Sequence, residues 1–140
     1  MAGNFPFRLI TPTGAVFDGP VEEVVAISPI GEFGVLAEHI DFITSLIPSL
    51  LSVRISSDRR DDYVVTGGLA TVKGGAMTIL ADDVQMPDRL DRAAVAEELA
   101  SAEHIIGAKS YYDADYADAQ RAIQLARART RAADSKRAPR

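Results

Sequence analysis

Gly67–Ala81 reads GGLATVKGGAMTILA. Two glycine pairs bracket Leu69–Lys73, and Ala76–Ala81 follows the second pair. Runs this short, bounded by Gly-Gly, read as β-strands separated by turns. A phosphate cradle is the competing reading of such glycines. It would need a G-x-x-x-x-G-K-[ST] pattern opening a helix, and neither pair supplies one. The glycines are therefore expected to be hairpin turns.

The same pattern extends back to the start of the chain. Tyr63–Thr66 precedes the first glycine pair, and Asp58–Asp62 reads as a charged loop tip. Leu50–Ile55, Ile40–Leu46, Gly31–Leu36 and Val21–Ser28 read as further strands. Asp18-Gly19-Pro20 and Thr11–Gly14 are turn clusters around a short run at Ala15–Phe17, and Phe5, Phe7 and Leu9 alternate with their neighbours. About nine short strands at close spacing predict a sandwich or barrel. No segment of helix length intervenes, which argues against a parallel α/β sheet.

After Pro87 the period changes. Asp88 is placed to cap a helix, and Val95, Leu99, Ala102 and Ile106 recur at spacings of one helical face. Gly107–Ser110 interrupts, Asp113 and Asp115 mark a second start, and Tyr116, Ala119, Ile123 and Ala126 form a second such face. Two helices with a short linker predict an antiparallel hairpin. Its alanine-rich faces bury little area each, so it should be held weakly and be able to detach. The expected fold is α+β: an antiparallel β-sandwich over residues 1–86, a two-helix hairpin over 87–133, and a disordered basic tail over 134–140.

The 140 residues fit one domain or two small ones. The chain has no cysteine, which removes disulfides, thiolate nucleophiles and cysteine-based metal sites. The most apolar window, Ile40–Val53, is too short and too polar to span a bilayer, and no secretory leader is expected at the start. The net charge of −5 is uneven. Residues 1–120 hold 8 Lys/Arg against 19 Asp/Glu, whereas residues 121–140 hold 7 Lys/Arg and only Asp134. An acidic body with a basic end argues against a nucleic-acid partner for the main domain.

One cluster invites chemistry. Glu32, Glu38, His39 and Asp41 lie close in sequence, but the only other histidine is His104, on a predicted helix. Metal sites pair histidine with other ligands at defined spacing, such as H-E-x-x-H, which is absent. No G-x-S-x-G is present either. Asp61-Asp62 and Asp82-Asp83 read as loop-solvating acids. The residues describe a non-catalytic β domain carrying a detachable, basic-ended hairpin, with no metal and no cofactor expected. Two rival readings stay open at this point: an adaptor that dimerises through its helices, and a metal-dependent β-barrel enzyme around His39.

The order of motifs resembles the epsilon subunit family of bacterial F-type ATP synthase, equivalent to the mitochondrial delta subunit. The family's G-E-L-G-I-x-P-G-H-x-P-L-L-T is similar to Gly31–Thr44, its G-G-x-x-x-V to Gly67–Val72, and its V-T-V-L-A-D to Met77–Asp82. Its P-x-G-x-V-F-x-G is matched by Pro12, Gly14, Val16, Phe17 and Gly19. Ala37-Glu38 stands where the family has Pro-Gly, so this turn's shape is not carried over. Leu90–Val95 resembles the I/L-D-x-x-R-A motif of nucleotide-binding members at Asp91, but Ala94 replaces the arginine. Arginine suits phosphate, so tight ATP binding is not expected.

The resemblance implies a non-catalytic central-stalk subunit that joins the c-subunit ring and gamma subunit to the alpha/beta catalytic head. It implies a place on the cytoplasmic face of the bacterial inner membrane, attached through the complex, and no nucleic acid. The c-ring and gamma contacts would fall at Gly31, Glu32, His39 and Thr44. An extended hairpin would inhibit ATP hydrolysis, with Arg121, Arg127, Arg129 and Arg131 meeting acidic residues of beta.

Overall fold

In the computed structural model, residues 3–86, 92–108 and 114–135 are described. Ten strands precede two helices. The strands are β1 (Phe5–Thr11), β2 (Gly14–Val21), β3 (Glu23–Ser28), β4 (Gly31–Leu36), β5 (Phe42–Leu46), β6 (Ser49–Arg54), β7 (Arg60–Val65), β8 (Gly68–Lys73), β9 (Ala76–Ala81) and β10 (Val84–Gln85). The helices are α1 (Arg92–Ala108) and α2 (Ala114–Ser135). Two five-stranded sheets form the sandwich, ordered β2-β1-β9-β8-β5 and β10-β7-β6-β3-β4.

Alternating residues build its core. Phe5, Phe7 and Leu9 of β1 point inward with Val24 and Ala26 of β3, Leu51 and Val53 of β6, and Met77 and Ile79 of β9, all buried. The Phe7 and Phe17 rings lie 5.7 Å apart between centroids, adding an aromatic contact to the area buried.

The observed pairing departs from expectation in four places. β1 pairs with β9 in parallel, whereas the other paired strands are antiparallel. Asp18-Gly19-Pro20 does not break the chain but lies inside β2, opposite Arg8, Phe7 and Pro6. β2 is an edge strand, where proline's missing N–H removes no ladder bond. Gly74-Gly75 is the β8–β9 hairpin turn, with φ of 58° and 80°, as a type I′ turn requires. Gly67-Gly68 is no hairpin. It carries the chain from β7 in one sheet to β8 in the other.

The fourth correction concerns Asp61-Asp62, which belong to β7 and not to a loop. Four consecutive β7 residues, Asp62–Val65, are buried, so both faces of the strand are covered. Tyr63 and Val65 face the sandwich core, while Val64 meets Ala128 and Ala132 of α2. Asp62 is 7% exposed, and Arg60 donates to its carboxylate from Nε at 3.0 Å and Nη2 at 3.4 Å. Burial, aided by the nearby Asp61 carboxylate, pushes the Tyr63 phenol above its ordinary value.

The hairpin lies folded against the sandwich. α2 packs on α1 and also on β6 and β7. Val95 and Ala102 of α1 and Ala119, Ile123 and Ala126 of α2 are buried, on the faces their spacing predicts. α2 has a second buried face, Ala128 and Ala132 with Leu125, which covers Val64 and Leu50. α2 runs through Ser135, so Asp134 and Ser135 are helical and not part of a tail. Asp88, Asp91 and Asp113 lie outside the described residues.

The seam between hairpin and sandwich is thin. Alanine contributes little apolar area. A cleft of about 500 Å³, lined by Ile27, Ile47, Leu50, Leu99, Arg127 and Arg131, separates much of the rest. Unfilled space forfeits the dispersion contacts its lining would have made.

Candidate functional site

The residues expected at the interface fall in three places. Gly31 and Glu32 follow the β3–β4 tip, where the Ser28 hydroxyl donates to the Gly31 carbonyl at 3.0 Å and accepts the Ile30 N–H at 3.3 Å. That tip holds Ile30 in solvent at 99% exposure. His39 lies beyond the opposite end of β4. Thr44 sits in mid-strand on β5, opposite buried Ala70, and its hydroxyl donates to the Ser45 carbonyl at 3.3 Å. The four residues do not form one patch.

Nor do the acids around His39 converge. Asp41 accepts the Gly74 N–H at 3.0 Å and steadies the β8–β9 turn. His39 Nδ1 lies 2.7 Å from the Ile40 carbonyl, which makes Nδ1–H the donor, and the ring stacks edgewise on Phe42 with centroids 5.9 Å apart. Among the described residues no three His, Cys, Asp or Glu side chains are grouped to hold a metal ion. His39 is thus held within the β4–β5 turn by its own neighbours.

That turn keeps the shape a glycine would give it. Glu38 adopts φ 64°, and the His39 N–H bonds the Leu36 carbonyl at 3.3 Å. A non-glycine residue there carries about 1–2 kcal/mol of steric strain, against a glycine entropy penalty of about 0.4–1 kcal/mol. Glu38→Gly is therefore expected to stabilise the chain by about 0.5–1 kcal/mol. Calorimetry should show Tm rising by about 2–4 °C. A fall in Tm would show that the Glu38 side chain supplies more than its backbone strain costs.

The four arginines are also dispersed. Arg121 is exposed and lines a cleft with Asp82, and Arg131 is exposed beside the hairpin seam. Arg127 is largely exposed, with Glu103 4.0 Å away. Arg129 alone is withdrawn, bonded to Gln85 and Glu98. Ala94 opens onto a groove of about 760 Å³ between the helices. Its charged lining is Glu97, Glu98 and Asp118 against Arg129 alone. Carboxylates outnumber cations in this described lining, whereas a triphosphate calls for positive charge.

An exposed apolar feature was missed from sequence. The sheet opposite the hairpin has an outer face carrying Ile43, Leu69 and Leu80, exposed by 65%, 38% and 49%. Leu69 is opposite Leu80, and Leu80 is beside half-buried Ile10 of β1. These residues form a contiguous apolar stripe across β8, β9 and β1, flanked on β5 by Ile43, whose partner is Thr71. Ile40, at 78% exposure, adds to its rim. A stripe of this kind marks an interaction surface. The signal in the sequence was the apolar residue at alternate positions of both strand faces, Leu69 with Ala70 and Ile79 with Leu80.

A ten-stranded sandwich with a hairpin on one face and an apolar stripe on the other has the form of a docking module. Residues 4–87 match the β-sandwich domain of the ATP synthase delta/epsilon chain. The ATP synthase epsilon chain of Afipia carboxidovorans is 38% identical over 96 residues, covering 69% of this chain and 70% of that one. That of Legionella pneumophila strain Corby is 36% identical over 120 residues, covering 86% and 84%. The chain belongs to the ATP synthase delta/epsilon chain family. Its fold is shared with a chain in the Euglena gracilis mitochondrial ATP synthase, solved with OSCP, F1 and c-ring, at TM-score 0.78 and 24% identity over 89% of this chain and 78% of that one. A chain in the Tetrahymena thermophila mitochondrial ATP synthase central stalk and c-ring gives TM-score 0.61 at 18% identity, covering 94% and 98%.

Proposed function

We propose that the chain is a non-catalytic subunit of the rotary central stalk, coupling the c-subunit ring and the gamma subunit to the alpha/beta head. The observation that carries this reading is the apolar stripe on the sheet opposite the hairpin. It is the surface offered to gamma. The β3–β4 tip, with Ile30 fully exposed beside Gly31 and Glu32, is the surface offered to the polar loops of the ring. His39 and Thr44 then support these contacts from the turn and from β5. The working place is the cytoplasmic face of the bacterial inner membrane, reached through the complex. Among the described residues no helix is long and apolar enough to cross a membrane.

The hairpin is the regulatory part. The thin seam lets it leave the sandwich, and Arg121, Arg127, Arg129 and Arg131 then meet acidic residues of the head and slow ATP hydrolysis. The acidic groove at Ala94 supports a hairpin that does not answer to ATP. Deleting residues 88–140 should leave gamma binding intact and raise the hydrolysis rate of the assembled complex. A rate no higher than that of the intact complex would remove the inhibitory role. Loss of gamma binding would move the docking surface onto the hairpin.

A further inference from the structure

Arg129 is 16% exposed, although it is one of the arginines on which inhibition would depend. Its Nε–H donates to Gln85 Oε1 at 2.7 Å, and its Nη1 pairs with the Glu98 carboxylate. One guanidinium thus joins α2 to α1 and to β10, the last strand of the sandwich before the helices. We propose that this contact is the clamp that holds the hairpin closed, and that it does so without nucleotide. The inference rests on the reading of the hairpin as a moving part.

The weight of the clamp follows from what surrounds it. Among the described residues the apolar seam consists of Val64, Ala128 and Ala132 with partly buried Leu50 and Leu125. Arginine's rigid fork serves two acceptors at once, and hydrogen bonds to a charged group are the stronger kind. The neighbouring cations do not share the task in this way: Arg127 is 68% exposed, with Glu103 at 4.0 Å. The clamp also has a consequence for inhibition. While the hairpin is closed, Glu98 neutralises the Arg129 charge. Detaching the hairpin breaks the Gln85 bond and exposes this guanidinium, so the closing contact and the inhibitory contact compete for one side chain.

The chain has no cysteine, so a single introduced thiol reports on opening. Ala128 is 4% exposed beneath α2, and in Ala128→Cys a thiol reagent reaches the sulfur through the open state. Adding Gln85→Leu removes the sandwich-side acceptor and leaves the Glu98–Arg129 pair in place. The labelling rate of the full chain should rise about five- to tenfold. Arg129→Lys, which keeps the charge and loses the fork, should raise it by a similar factor, while Mg-ATP should leave it unchanged. The clamp is overturned if both variants stay within about twofold of the parent while Leu125→Ala, which thins the apolar seam, speeds labelling. Slower labelling with Mg-ATP would overturn its independence of nucleotide. Gamma binding by the parent chain is measured alongside: its absence would sink the stalk reading and leave the clamp standing, and unchanged labelling would do the reverse.

Discussion

Replacing Gly68 with alanine is expected to remove a large part of the chain's stability. Gly68 has φ +150°, a conformation that residues with a side chain rarely adopt. A Cβ at this position would lie 2.2 Å from the Leu80 carbonyl oxygen and 2.9 Å from the Ala81 Cα. Both neighbours are backbone of β9, fixed in a ladder with β8 on one side and β1 on the other. The overlap cannot be relieved by turning a side chain. Either β8 moves away from β9, or the crossing from one sheet to the other changes course. Backbone strain and overpacking each cost about 1–3 kcal/mol, so the sum is about 3–5 kcal/mol. Against the ~5–15 kcal/mol of an ordinary domain, that is about a fifth or more of the total. Urea unfolding should show a markedly lower midpoint. Gly34→Ala is the control: its Cβ would meet nothing within 4 Å, and the change should stay within about 0.5 kcal/mol. A Gly68→Ala loss below about 1 kcal/mol would mean that the β8–β9 approach is looser than the structure has it.

Gly68 also shows what a single sequence holds and what it withholds. The glycine pairs mark chain breaks in either case, because local backbone freedom is written in local residues. Whether the break is a hairpin or a crossing between sheets depends on which strand comes to pair with which, and that is a long-range choice. The same division runs through the rest of the fold. Phe5, Phe7 and Leu9 alternate and are buried, and the faces at Val95, Ala102, Ala119, Ile123 and Ala126 repeat and are buried. Period is local, so it was legible. The parallel β1–β9 pair was not, nor was the two-residue β10, too short to carry a period. Asp62 looked like a solvated acid because nothing local announces that β7 is covered on both faces, one of them by α2, which meets Val64 from far along the chain.

The candidate site divides in the same way. Motif resemblance singled out Gly31, Glu32, His39 and Thr44, all within one stretch, and the structure separates the tip residues from His39 by the whole of β4. Proximity in sequence had made His39 look like a ligand among acids. Its Nδ1–H is instead held by the next residue's carbonyl, and Asp41 is held by a turn from another hairpin. The arginines at the end of α2 read as equivalent from charge alone. Only the packed hairpin distinguishes Arg129, because its two partners come from α1 and from β10.

Charging the open sheet face is the second change with a large expected effect, and it acts on binding, not on folding. Ile43 and Leu80 are among the more exposed large apolar residues of that face, so Ile43→Glu with Leu80→Glu disturbs the isolated chain little. Each partly exposed position should cost about 1 kcal/mol or less. In a complex with gamma the same two carboxylates would stand where the parent chain offers apolar anchors. Well-packed apolar anchors at an interface are worth about 2 kcal/mol or more each, and every 1.4 kcal/mol is tenfold in affinity. The double variant should therefore bind gamma at least ~100-fold more weakly. Arg8 and Asp18, which pair across β1 and β2 on this face, supply the contrast. Their exposed ion pair lies on a rim and is worth little, so Arg8→Ala should change gamma affinity by no more than about fivefold. Titration calorimetry with purified gamma measures both. Should the double variant bind as the parent does, the stripe is not the gamma surface, and the β3–β4 tip at Ile30 becomes the surface to test next.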